Sequence, residues 1–287
     1  MLKTSLRIRA ASNRGMTPPA RGRCICIPTR KVTFMAKTKR LISVRAGRLG
    51  KILLYSQATA ADDPKTRAEK TRRSSEARQR QNARTSREAC EELMAANFDR
   101  GDLFVTFTYR DAPPTREAAL RRFNAFLRLL RQARAARGER VLYIKCTEHI
   151  RDDGSEGRWH HHVVINATGR DYDEIRSLWA AWGDNVDFEG LLEAGESYES
   201  RARYMCKERP PLGKQCWTPS RGLRRPTRTS ELVDEALTIT PASLPAGAVI
   251  LEHSEDQNEW GTFVYYKYIL PYREPRPDPK KKRGDGG

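Results

Sequence analysis

The sequence predicts an α+β domain, a central antiparallel β-sheet with flanking helices, preceded by a basic N-terminal arm. Three observations predict it. Between residues 99 and 180 the apolar periodicity runs strand, helix, strand, strand, helix, with turn formers at the boundaries. Hydrophobic residues make up 38% of the 287 positions and charged residues 31%, so some of the chain lies outside any core. The 54 Lys and Arg against 36 Asp and Glu give a formal charge of +18, and 14 of the basic residues precede the first acid, Asp62. The excess is therefore concentrated at the start, and residues 62–287 carry only +4.

This distribution suggests residues 1–60 as a basic, disordered arm with few periodic apolar positions, and 61–98 as a helical segment. The folded domain proper is expected over 99–270, ending in a β-hairpin, with 271–287 as a basic disordered tail. Residues 65–97 lack Gly and Pro and read as helix. LFVTFTY (103–109) alternates β-branched and aromatic residues, a strand signal. Thr115 is placed to cap a helix carrying Leu120, Phe123, Leu127 and Leu130, with Gly138 as its stop. RVLYIKCTEH (140–149) and WHHHVVIN (159–166) read as two strands joined through Asp152-Asp153-Gly154. Asp171 and Glu174 stand at capping-box spacing before a helix with Ile175, Leu178, Trp179 and Trp182. Ser197 opens a short helix, YESRARYMCKE, and the strands AVILEH (248–253) and GTFVYYKYIL (261–270) form a hairpin.

No apolar run approaches the ~20 residues that span a bilayer, so no membrane partner is expected. The six cysteines form no CxxC pair and read as free thiols in a reducing compartment. No phosphate-loop motif occurs, since Gly47-Arg48-Leu49-Gly50-Lys51 has the wrong spacing.

Two constellations carry chemistry. In a strand alternate side chains share a face, so His160 and His162 point together while His161 points with Val163 and Ile165. Two imidazoles on one face can bind one divalent cation. Glu148 closes the preceding strand, where a hairpin brings it close to His160 as a third ligand. The second constellation is Tyr204-Met205-Cys206-Lys207. On a helix, positions three apart share a face, so the Tyr204 phenol and the Lys207 ammonium can converge on one phosphate. Residues 201–228 then hold nine basic residues and a single acid, with Trp217 among them. That pattern fits a chain meeting a nucleic-acid backbone and stacking a base, through Arg203, Lys214, Trp217, Arg221, Arg224 and Arg225.

Over about residues 82–225 the chain resembles the HUH endonucleases, and within them the rolling-circle replication initiators (Rep proteins) of bacteriophages and plasmids. FVTFTY (104–109) resembles their first strand motif. Glu148 with GRWHHH (157–162) resembles the metal motif, with His161 at a position that is usually hydrophobic. ARYMCK (202–207) resembles the nucleophile motif. The metal motif precedes the tyrosine, as in Rep proteins and unlike conjugative relaxases. The resemblance implies a HUH-type, ferredoxin-like or RRM-like sheet. It also implies a nuclease that nicks single-stranded origin DNA through Tyr204, assisted by Lys207. Mg²⁺ or Mn²⁺ would be held by Glu148, His160 and His162, a host helicase and DNA polymerase would be partners, and the setting would be the bacterial cytoplasm. A relaxase or single-strand transposase would use the same site, and a non-catalytic nucleic-acid-binding protein would leave no tyrosine-linked DNA.

Overall fold

The structure, a computed structural model, describes residues 38–56, 75–150, 155–192, 198–207, 215–258 and 261–272. Two five-stranded antiparallel sheets and four helices make up these residues, so the fold is α+β as expected. The expectation of one central sheet falls short by a whole second sheet.

The chain enters through β1 (Lys39–Ala46) and β2 (Leu49–Ser56), a hairpin pairing Ala46 with Leu49. This corrects the reading of residues 1–60 as an arm: the stretch from Lys39 to Ser56 is strand, and residues 1–37 lie outside the described residues. Gly47 opens the two-residue loop at φ +56°, the type II′ pattern, and a Cβ there would lie 2.0 Å from the Ala95 carbonyl oxygen. Helix α1 (Ser75–Asn97) follows, with a polar first half and an apolar end formed by Cys90, Leu93 and Met94.

The second sheet begins at β3 (Leu103–Thr108). Helix α2 (Arg116–Ala135) starts where Thr115 Oγ1 accepts from the Ala118 backbone N–H. It buries Ala119, Phe123, Phe126, Leu127 and Leu130, and Gly138 takes φ +73° just beyond its end. Strands β4 (Tyr143–Ile150) and β5 (Glu156–Ile165) form the next hairpin, and its turn, 151–154, lies outside the described residues.

Helix α3 (Asp171–Trp179) departs from the expected capping box. It begins at Asp171 itself, whose Oδ2 accepts from the Thr168 and Gly169 N–H groups while Oδ1 takes the buried Arg134 guanidinium at 2.6 Å. Glu174 pairs with Arg134 and Arg137 rather than with a cap. Strand β6 (Val186–Gly190), helix α4 (Tyr198–Met205) and strand β7 (Trp217–Pro219) complete this half. The strand order is β6-β3-β5-β4-β7.

The chain then returns to the first sheet with β8 (Thr227–Val233), β9 (Val249–Asn258) and β10 (Gly261–Ile269), in the order β8-β1-β2-β10-β9. The expected late hairpin is therefore present, as the outer part of a larger sheet. Between this sheet and the helices lies an ionic network: Lys51 meets Glu91 and Glu92, and Lys267 meets Glu91 at 2.6 Å and Glu199 at 2.7 Å. Glu199 stands in the first turn of α4, so the network ties that helix to β10. No helix among the described residues is long and apolar enough to cross a membrane.

Candidate active site

Two central strands of the second sheet present the histidines. Glu148 lies directly across from His160, and Thr106 on β3 lies across from His162 from the other side. The alternation of β5 puts His160 and His162 on one face. Their Nε2 atoms lie 3.9 and 3.7 Å from Glu148 Oε2. The three side chains form a group able to hold a metal ion, with one ligand atom from each within 4.8 Å of the others.

The chemistry of the donor set fits a divalent cation. His160 Nδ1 is 2.9 Å from the Arg158 carbonyl oxygen, which can only accept, so Nδ1 carries the proton and Nε2 keeps its lone pair toward Glu148. His162 Nδ1 is 3.0 Å from Thr106 Oγ1, and the ring stacks on Phe104 at 5.6 Å. Glu148 is 1% exposed, and burial pushes its carboxyl above the usual carboxylate range. Lys207 Nζ, 3.3 Å from Oε2, opposes that shift, and Cys146 Sγ donates to Oε1 at 3.4 Å.

Tyr204 and Lys207 come to the same place. Helix α4 buries Tyr198, Ala202 and Met205, which turns Tyr204 toward the histidine face. The Tyr204 ring stands edge-on to His162 at 4.7 Å and to Phe104 at 5.9 Å. Lys207 follows the last helical turn, its N–H donating to the Tyr204 carbonyl, and its ammonium lies 4.1 Å over the Tyr204 ring. Tyr204 lines two clefts. One, of about 700 Å³, includes Thr106, Arg158, His160, His162 and Asn185. The other, of about 580 Å³, is lined by Glu199, Ser200, Arg203, Tyr204 and Lys207. The neighbouring Tyr198 is buried, with its hydroxyl donating to the Phe98 carbonyl at 2.6 Å.

His161 sits on the opposite face, fully buried. Tyr109 donates its hydroxyl proton to the Ala119 carbonyl, so its oxygen accepts from His161 Nε2–H at 2.7 Å. The neutral ring then accepts at Nδ1 from Thr147 Oγ1 at 2.9 Å. Burial holds this imidazole well below the usual histidine range.

The basic cluster is not brought together as expected. Arg203 does line the cleft beside Tyr204, paired with Glu199 at 2.9 Å. Lys214 lies outside the described residues. Trp217 is corrected: it is 8% exposed and part of the core, and its Nε1–H donates to Ser86, so its face is not offered to a base. Arg221, Arg224 and Arg225 are exposed, but at the far end of the sheet. Strand β7 pairs Trp217 with Cys146 and Pro219 with Ile144, and Ser220 N–H then meets the Tyr143 carbonyl, so the loop leaves at the end of β4 opposite Glu148. Five residues of strand separate Tyr143 from Glu148, about 17 Å. Asn97 pins that loop through both Arg224 backbone groups.

Thr106, Cys146, Glu199 and Arg201, whose guanidinium lies 4.6 Å over Phe104, were missed from sequence. Thr106 becomes legible only with the β3–β5 register.

Residues 102–209, which span this site from β3 to just past Lys207, match the model of a replication-associated protein family, the one described by ORF2 and the gene 2 protein. The match supports a replication initiator that binds DNA. No curated protein and no solved structure gave a match.

Proposed function

We propose that this protein initiates rolling-circle replication by nicking single-stranded origin DNA at Tyr204. The observation that carries the reading is the placement of one accessible phenol against His162, at the mouth of a cleft built around Glu148, His160 and His162.

In this reading the Tyr204 oxygen attacks a phosphodiester phosphorus. The new bond is phosphorus to the tyrosine oxygen and the broken bond is phosphorus to O3′. The products are a 5′-phosphotyrosine and a free 3′-hydroxyl that a host polymerase can extend. The phenol proton is given up, and the departing 3′-oxygen takes one. Because the phosphodiester energy is kept in the tyrosine linkage, the reverse attack by a 3′-hydroxyl religates the strand without a nucleotide. A free phenol ionises only near pH 10, so Lys207, 4.1 Å from the ring, favours the phenolate and screens the phosphate charge. A divalent cation held by Glu148, His160 and His162, Mg²⁺ or Mn²⁺, would supply Lewis-acid polarisation of a phosphate oxygen. Thr106 and the Arg158 carbonyl hold the imidazoles in the ligating orientation, and Cys146 holds the carboxylate. Arg203 offers a charge to the strand in the second cleft. A host helicase and the bacterial cytoplasm complete the setting.

The test is incubation of the full chain with labelled single-stranded DNA and Mn²⁺, followed by denaturing electrophoresis. The expected result is a protein–DNA adduct that disappears in Tyr204→Phe while DNA affinity stays within about twofold. An adduct that survives in Tyr204→Phe would overturn the assignment.

A further inference from the structure

A cavity on the other face of the second sheet is lined by cationic and hydroxyl groups. It has a volume of about 290 Å³ and lies between the start of α2 and the β4–β7 edge, with Arg116, Lys145, Thr147, Gln215 and Thr218 among its walls. The alternation that directs Cys146 and Glu148 toward the histidine pair directs Lys145 and Thr147 here. Thr218 pairs with Lys145 across the β4–β7 ladder, so the two side chains share this face.

Lys145 is 6% exposed. A buried ammonium is ordinarily matched by a carboxylate, because an unpaired charge inside a protein is costly. Its one side-chain hydrogen bond is to Asn124 Oδ1 at 2.8 Å, a neutral acceptor, and its Nζ lies 5.0 Å over the Phe123 ring. One acceptor leaves two of the three N–H donors for another group. The charged neighbours are Arg116 and Arg131, both cations, and the Arg131 guanidinium bonds the neutral Tyr143 hydroxyl. Burial together with these two cations lowers the Lys145 pKa to about 8. Among the described residues no carboxylate forms an ion pair with any of the three. The adjacent imidazole, His161, is neutral and already bonded at both nitrogens. Three cations are thus gathered around a cavity with no protein anion to match them.

We propose that this cavity is a phosphate-binding site, in which Lys145 and Arg116 hold a phosphate group that is either free or carried by a DNA strand. The volume accommodates a phosphate with its waters. Lys145 supplies donors from the floor, and Arg116 can add a forked contact from the rim. The site stands independently of the nicking reading, because it faces away from Tyr204 and uses none of the same side chains.

The test compares the full chain with Lys145→Met, which keeps side-chain length and removes the charge, and with Arg116→Gln, a half-buried surface change that carries the test if the first variant does not fold. Thermal melting is followed in inorganic phosphate against chloride at matched ionic strength. A site for free phosphate raises the wild-type Tm progressively with phosphate concentration, and the rise is lost in both variants. A site for a DNA-borne phosphate gives no such rise. Instead, binding of a single-stranded oligonucleotide shows a slope of log K against log[salt] about 0.7 flatter in each variant. If both variants match the wild type in phosphate response and in oligonucleotide salt slope, the proposal is wrong.

Discussion

Three consecutive histidines on β5 face two different environments, and the two sides of that strand make a controlled comparison. On one side His161 has both nitrogens engaged, by Tyr109 and Thr147, and its ring stacks on Phe123 at 4.1 Å. On the other, His160 and His162 each hold one nitrogen against a protein oxygen and turn the second toward Glu148. The residue type is the same and the positions are adjacent. What differs is the partner across the strand: a hydroxyl-lined core on one face, a buried carboxylate on the other. A histidine whose two nitrogens are satisfied within the protein is part of the core, and one that aims a lone pair at a shared carboxylate is a ligand in waiting.

The comparison breaks most visibly at the ligand face. His160→Ala and His162→Ala should each weaken Mn²⁺ binding by more than about 100-fold, beyond what loss of an outer hydrogen-bond partner costs, and should end adduct formation. Calorimetric titration with Mn²⁺ checks the first part and the gel assay the second. A variant that keeps wild-type Mn²⁺ affinity would remove that residue from the ligand set.

Trp217→Ala comes next in size and moves stability rather than DNA affinity. Truncating a buried tryptophan costs about 3–5 kcal/mol, read from urea denaturation. DNA affinity measured well below the unfolding midpoint should be unchanged. A selective loss of DNA affinity at full stability would return Trp217 to a stacking role.

His161→Phe sharpens the contrast directly. The expected cost is about 1–3 kcal/mol, because Tyr109 and Thr147 lose their partner in a dry core, while Mn²⁺ affinity stays at the wild-type value. A sequence-based view of this position as one that usually carries a hydrophobic side chain predicts free tolerance, and the bonded ring does not. Loss of metal binding with stability intact would show that the two faces are not independent.

The smallest effect is expected far from the strand. Replacing Arg221, Arg224 and Arg225 together by Ala should flatten the salt slope of binding to a long single strand by up to about 2 units. Adduct yield on an oligonucleotide too short to reach about 17 Å beyond the site should not change. Equal slopes for wild type and variant would make the loop a solvated face.

The sequence by itself determined the site's inner geometry. His160 and His162 share a face because strand side chains alternate with period two, and Glu148 ends the strand that precedes them across one turn. Tyr204 and Lys207 are joined by the local geometry of one helical turn. The capped helix starting after Thr115 and the late hairpin were legible for the same reason: each depends on contacts a few residues apart. Long-range packing decided the rest. Lys39 pairs with Val233, so a sheet uniting residues 39–56 with 227–269 has no local signature in either segment. Thr106 meets His162 only because β3 adopts one register beside β5. Trp217 sits in a cluster rich in Arg and Lys along the chain, yet burying its ring against α1 outweighs any value of leaving it exposed. The direction of a side chain is set by its own backbone. What it meets there, carboxylate, core or cavity, is set by whichever strand or helix the whole chain packs beside it.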